Sequence, residues 1–116
     1  MSQLYNLDFI IEITNGKQEK INMILEKFLL DAPVSVKNLD SSFRQKKMDN
    51  LKREAHSIKP IFRSVGADAA IRAIEQIEQY CSSPVFYELI QIELDQLDKI
   101  SYAVCQQINL KLQKSE

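Results

Sequence analysis

Leu51, Ala55, Ile58, Phe62 and Val65 follow one another at steps of four, three, four and three residues. Only an α-helix gathers that spacing into one seam, because a strand would scatter the same residues over both of its faces. The rhythm recurs along the chain. Ile21, Ile24, Leu25, Phe28, Ala32, Leu39 and Phe43 hold one helical phase from Lys17 onward, and the phase survives Pro33. Ala70, Ile71, Ile74, Ile77 and Cys81 make a third stripe. Phe86, Ile90, Leu94, Leu97, Val104, Ile108 and Leu112 make a fourth. Each stripe must be covered to leave water, and four such helices cover one another best around a shared core.

The breaks between stripes are sparse, with two glycines and three prolines in 116 residues. Asn15-Gly16 is a left-handed stop for a short first helix over about Leu7 to Thr14. Pro33 leaves either one long kinked helix or two nearly collinear ones. Asp49 is the expected cap of the next helix, Gly66 closes it, and Asp68 caps the one after. Ser83-Pro84 reads as a cap followed by proline in the first helical position. Loops this short make neighbouring helices antiparallel. The expected fold is all-α: an antiparallel four-helix bundle with a short extra N-terminal helix, in a single domain spanning 1–116. Every long helix spends its apolar stripe on the core in this reading, so the expected state is a monomer.

Several function classes fall away on composition. With 45% hydrophobic and 27% charged residues the chain is not disordered. No apolar run approaches the roughly 20 residues of a membrane span, and "MSQLYNLDF" lacks the regions of a signal peptide. One histidine and two distant cysteines, Cys81 and Cys105, do not make a structural zinc site. The expected compartment is the reducing cytoplasm. The Met start and the polar "KLQKSE" end suggest a free-standing protein.

Charge is unevenly spread. Between Arg44 and Arg63 stand seven cations (Arg44, Lys46, Lys47, Lys52, Arg53, Lys59, Arg63) against Asp49 and Glu54, a local +5 in a chain of net charge −1. Such a patch suits a phosphate or an acidic partner. The single histidine lies inside it. With the seam of Leu51 to Val65 as reference, His56 points about 140° away, toward solvent. Lys52, Lys59 and Arg63 fall at about 100°, 80° and 120° and share its face. An imidazole lone pair is a competent nucleophile toward phosphorus, and the cations would draw in a phosphoryl group. No carboxylate stands three or four residues from His56, so local sequence offers no hydrolytic triad. Pro60 removes the amide that would bond to the His56 carbonyl, and its compact ring keeps the neighbouring turn low.

These residues carry a resemblance. "AHSIKPIFRSVGA" resembles the signature of the histidine-containing phosphotransfer (HPt) domain family, A-H-x-[LIM]-K-[GP] with a glycine ten residues after the histidine. Ala55, His56, Ile58, Lys59, Pro60 and Gly66 fill those places. Residue 60, glycine in most members, is proline here. The resemblance covers nearly the whole chain. "FLLDAPVSVKNLDSSFRQKKMDNLKREAH" is similar to the family's F-L-x-x-x-P-x-x-x-x-x-L helix leading into the active helix. "IEQIE" falls where the following helix usually carries L/I-E, and "YNLDFIIEITNGK" is similar to the start of small free-standing members.

The resemblance implies a phosphorelay intermediate of two-component signalling. His56 would be the phosphoacceptor, taking a phosphoryl group from the aspartyl phosphate of one receiver domain and passing it to another. Lys59 would lie beside the phosphate. The expected partners are response-regulator receiver domains, a hybrid sensor histidine kinase, or both. It further implies no kinase activity of its own, and no metal or cofactor, since the receiver brings the divalent ion. From the helical wheel, Lys52 and Arg63 join Pro60 as docking or electrostatic positions. The competing reading is a four-helix interaction module that docks an acidic partner through the basic face without chemistry. Nucleic-acid binding fits poorly, because the cations are not interleaved with aromatics and the overall balance is acidic.

Overall fold

Three helix ends close in the same way. Asn15 and Gly16 (φ 52° and 72°), Lys46 (φ 59°) and Gly66 (φ 60°) all adopt left-handed backbone. The following amides turn back onto the last helical carbonyls: Gly16 to Ile11 at 2.9 Å, Lys47 to Ser42 at 3.0 Å, and Ala67 to Phe62 at 3.0 Å. These closures satisfy carbonyls a helix end would otherwise leave orphaned. A computed structural model describes residues 2–114. The helices are α1 (Asp8–Ile13), α2 (Gln18–Arg44), α3 (Met48–Ser64), α4 (Asp68–Tyr80) and α5 (Tyr87–Lys114), with a 3₁₀ turn at Pro84–Phe86. Both α2 and α3 run through their prolines, Pro33 and Pro60, without interruption.

Two expected caps are displaced. Lys47 and Ala67 hold the boundary positions of α3 and α4, and neither supplies a side-chain cap. Asp49 and Asp68 lie within the first turns instead, where their charge still favours the positive end of the helix. Ser83 does cap, its hydroxyl accepting from the Val85 amide at 3.3 Å.

The order α2, α3, α4, α5 closes into a ring, each helix packing on the next and α5 returning onto α2. Directions follow from the contacts. Phe28 meets Phe62 edge-on at 5.5 Å, while fourteen residues further along α2 the Ser42 hydroxyl donates to Glu54 at 2.7 Å, eight residues earlier in α3. The pair is therefore antiparallel. Across α2 and α5, Phe43 stacks on Tyr87 at 4.6 Å, and Pro33 shares a groove with Cys105, again with opposite chain sense.

The five seam residues of α3 are all buried, as are Leu25, Phe28, Leu39, Ile74, Ile77, Leu94 and Leu97. Each large side chain so buried contributes roughly 1.5–3 kcal/mol. α2 also carries a second apolar row that faces water, Met23, Leu30 and Val34, and on α5 the apolar residues Ile92, Tyr102 and Leu110 are exposed.

The segment before α1 straps across the turn from α3 to α4. The Asn6 amide donates to the Val65 carbonyl at 2.8 Å, and the Leu4 amide to the Gln107 side chain at 2.8 Å. A β-carbon on Gly66 would stand 2.8 Å from that of Asn6 and 3.0 Å from its nitrogen. Glycine is needed there for space as well as for its positive φ. No helix among the described residues is long and apolar enough to cross a membrane.

Candidate functional site

Burying the seam of α3 fixes what its other residues can do. His56 follows the buried Ala55, and Lys59 follows the buried Ile58, so both lie beside the seam on the side where α4 packs. On α4, Glu78 follows the buried Ile77 and projects toward the same border. The three side chains meet. Glu78 Oε2 lies 3.2 Å from His56 Nδ1, and Oε1 lies 2.8 Å from Lys59 Nζ.

Their exposure differs sharply. The His56 side chain is 76% exposed, whereas Glu78 and Lys59 are 18% and 12% exposed. The imidazole thus stands out from the surface on a base of two shielded, oppositely charged groups. Burial works against the ionised form of Glu78. The Lys59 ammonium and the His56 ring outweigh it, and the carboxyl is held below its ordinary range. At neutral pH Glu78 is therefore a carboxylate, which can only accept hydrogen bonds. That assigns the proton to Nδ1 and leaves Nε2 as the nitrogen with an available lone pair.

Lys59 shares a side of α3 with His56, as the helical wheel suggests, but its tip turns inward. Its four-carbon stem folds toward α4, and the ammonium is engaged by Glu78 instead of standing in solvent beside the ring. Lys52, exposed, lines a shallow depression with Lys59, Glu75 and Glu78. Arg63 and Pro60 are exposed on later turns of α3. Gly66 lies away from the imidazole and serves the strap.

Glu78 is the residue that reading along the helix misses. It is 22 positions from His56 in sequence and joins it only because α4 packs on α3. The signal was present in "IEQIE", whose last glutamate is Glu78. Both cysteines are free, and burial pushes the thiols of Cys81 and Cys105 upward, away from thiolate chemistry.

The arrangement offers one accessible imidazole nitrogen, a fixed tautomer and nearby positive charge. The family model described as "Hpt domain" matches residues 23–111, which include the histidine and all four helices of the ring at least in part. No curated protein and no solved structure matches the chain. An exposed histidine on the second helix of a four-helix ring, within a match of that extent, makes the chain a member of the Hpt domain family, with its phosphotransfer role in two-component signalling.

Proposed function

We propose that His56 is the phosphoacceptor of a phosphorelay, taking a phosphoryl group from the aspartyl phosphate of one receiver domain and delivering it to another. The observation that carries this reading is the contact between Glu78 and His56 Nδ1, combined with the exposure of the ring. In the forward step Nε2 donates its lone pair to phosphorus, the Nε2–P bond forms, and the P–O bond to the aspartate breaks, its electron pair leaving with the carboxylate. The ring keeps its Nδ1 proton, and the positive charge that develops on it faces the Glu78 carboxylate. Transfer to the second receiver reverses these events.

Lys59 belongs to the same device. Its ammonium offsets Glu78 in the resting protein and lies one turn from the ring, where a short swing would bring it to a phosphoryl oxygen on Nε2. Lys52 and Arg63 supply a positive approach for the acidic site of a receiver. The free thiols suit the reducing cytoplasm, where receiver domains and the cytoplasmic parts of sensor kinases would meet a monomeric carrier.

The test is incubation with a phosphorylated receiver domain, followed by mapping of acid-labile, base-stable phosphate. Label should appear on His56 and vanish in His56→Gln. Label that persists in that variant, or maps elsewhere, would leave the fold with an interaction role alone.

A further inference from the structure

On the side of the ring away from α3 and α4, the outer faces of α2 and α5 enclose a groove of about 320 Å³. Its walls are mainly apolar: Pro33 and Val36 from α2, Tyr102 and Cys105 from α5. Tyr102 is 67% exposed on the groove wall, while Leu30 and Val34, 74% and 59% exposed, lie on the outer face of α2 to one side of the groove. The other end is acidic. Asp40 and Asp98 line it, close enough for a hydrogen bond between their carboxyls, and Asp95 stands near them. Lys37 and Arg44 are the cations on this part of α2; Arg44 opposes, but burial first and then Asp98 push the Asp40 carboxyl up to about 6.

Two features of this groove need a ligand to make sense of them. Pro33 and the exposed Tyr102 ring give the groove an apolar wall open to water, which a bound apolar face would cover. Carboxylates brought together across a helix pair repel one another, and a cation placed between them would remove that repulsion. Both needs are met by one object, a helix with an apolar face and basic residues at one end. A second copy of this chain paired with its helices parallel across the groove would set Asp40, Asp95 and Asp98 against their own counterparts.

We propose that the α2–α5 groove docks a cationic amphipathic helix of a partner protein, with its apolar face against Pro33, Val36 and Tyr102 and its basic end at Asp40 and Asp98. From Pro33 to Asp40 the groove runs about 10 Å along α2, long enough for two turns of a bound helix. The docking face lies across the bundle from His56, so a receiver on α3 and α4 and a helix on α2 and α5 can be held together. The proposal does not depend on the chemistry assigned to His56.

The probe is a synthetic 18-residue amphipathic helical peptide with leucines along one face and two arginines at one end, and a twin with glutamates in place of the arginines. Each is titrated into the ¹⁵N-labelled protein. The arginine peptide should saturate with shifts at Val36, Lys37, Ser101, Tyr102 and Cys105, and should bind at least about tenfold more tightly than its twin. Asp98→Lys should reverse that preference, and Tyr102→Ser should weaken both peptides. Asp98 and Tyr102 are exposed, so neither change disturbs the core. Absence of saturable binding, equal affinity for the two peptides, or shifts gathered around His56 and Glu78 would each overturn the proposal.

Discussion

Glu78 reaches from α4 to within 3.2 Å of His56 Nδ1 on α3, so the reactive ring of one helix is oriented by its neighbour. A positioning residue of this kind touches neither the phosphoryl group nor the incoming receiver. Glu78→Gln keeps an acceptor for Nδ1–H but removes the charge that faces the ring, and the transfer rate should fall about 5- to 100-fold, the equivalent of 1 to 3 kcal/mol. Circular dichroism should show unchanged helix content. Wild-type transfer by Glu78→Gln, measured in single turnover from a phosphorylated receiver, would reduce the contact to a structural detail.

Lys59 and Lys52 should separate in their effects. Lys59→Ala removes the partner of a shielded carboxylate, which costs about 1 to 3 kcal/mol of stability as well as transfer rate. The pH dependence has a defined sign. Glu78 has a depressed pKa in the folded state, so its contribution is present above its ordinary pKa of 4.5 and is lost as pH falls through the lower folded value. Urea denaturation should therefore show the Lys59→Ala deficit at pH 7 and little of it under strongly acid conditions. Lys52→Ala should leave stability within about 0.5 kcal/mol of wild type. A larger loss from Lys52→Ala than from Lys59→Ala would contradict the assignment of Lys59 to Glu78.

Gly66→Ala should be disproportionately harmful for an added methyl group. The residue has φ +60° and its β-carbon would collide with the Asn6 backbone. Left-handed backbone costs a non-glycine residue about 1–2 kcal/mol, and displacement of the strap adds to it. The melting temperature should fall, and amides of residues 4 and 6 should lose protection from hydrogen exchange. Gly16→Ala, where no atom lies within 4 Å, should incur the backbone cost alone.

Asp40→Asn should stabilise the protein at neutral pH. Its carboxyl is raised from 3.8 to about 6, by burial first and then by Asp98 and Asp95, with Arg44 opposing. The native state thus holds this proton more tightly than the unfolded chain. Native stability is favoured below the ordinary carboxyl pKa and declines as pH rises through about 6. Since Asp40 is only partly buried, solvent screening reduces the gain from substitution to about 1 kcal/mol. Denaturation at pH 7.5 should show that gain and denaturation at pH 3.5 should not. An equal gain at both would mean that ionisation of Asp40 is not its source.

The helical rhythm of the sequence was enough to place the bundle and to turn His56 outward, because a 3.6-residue period converts spacing into direction without knowledge of neighbours. What it could not give was anything decided between helices. Glu78 joins His56 across 22 positions, and Lys59 bends to meet it, so its wheel angle was a poor guide to its tip. The end of α2 was hidden too, since Lys46 takes a left-handed conformation without being Gly or Asn. The outward apolar residues of α2 and α5 escaped notice because each core stripe was already accounted for.

The strap also bears on the order in which the chain assembles. Three helix pairs of the ring, α2–α3, α3–α4 and α4–α5, join neighbours in sequence and can form early, but the Leu4 to Gln107 bond closes a loop 103 residues around. Loop-closure entropy makes such a contact late to form. Release of residues 2–6, with the bundle still intact, would free the Val65 carbonyl at the foot of the helix that carries His56.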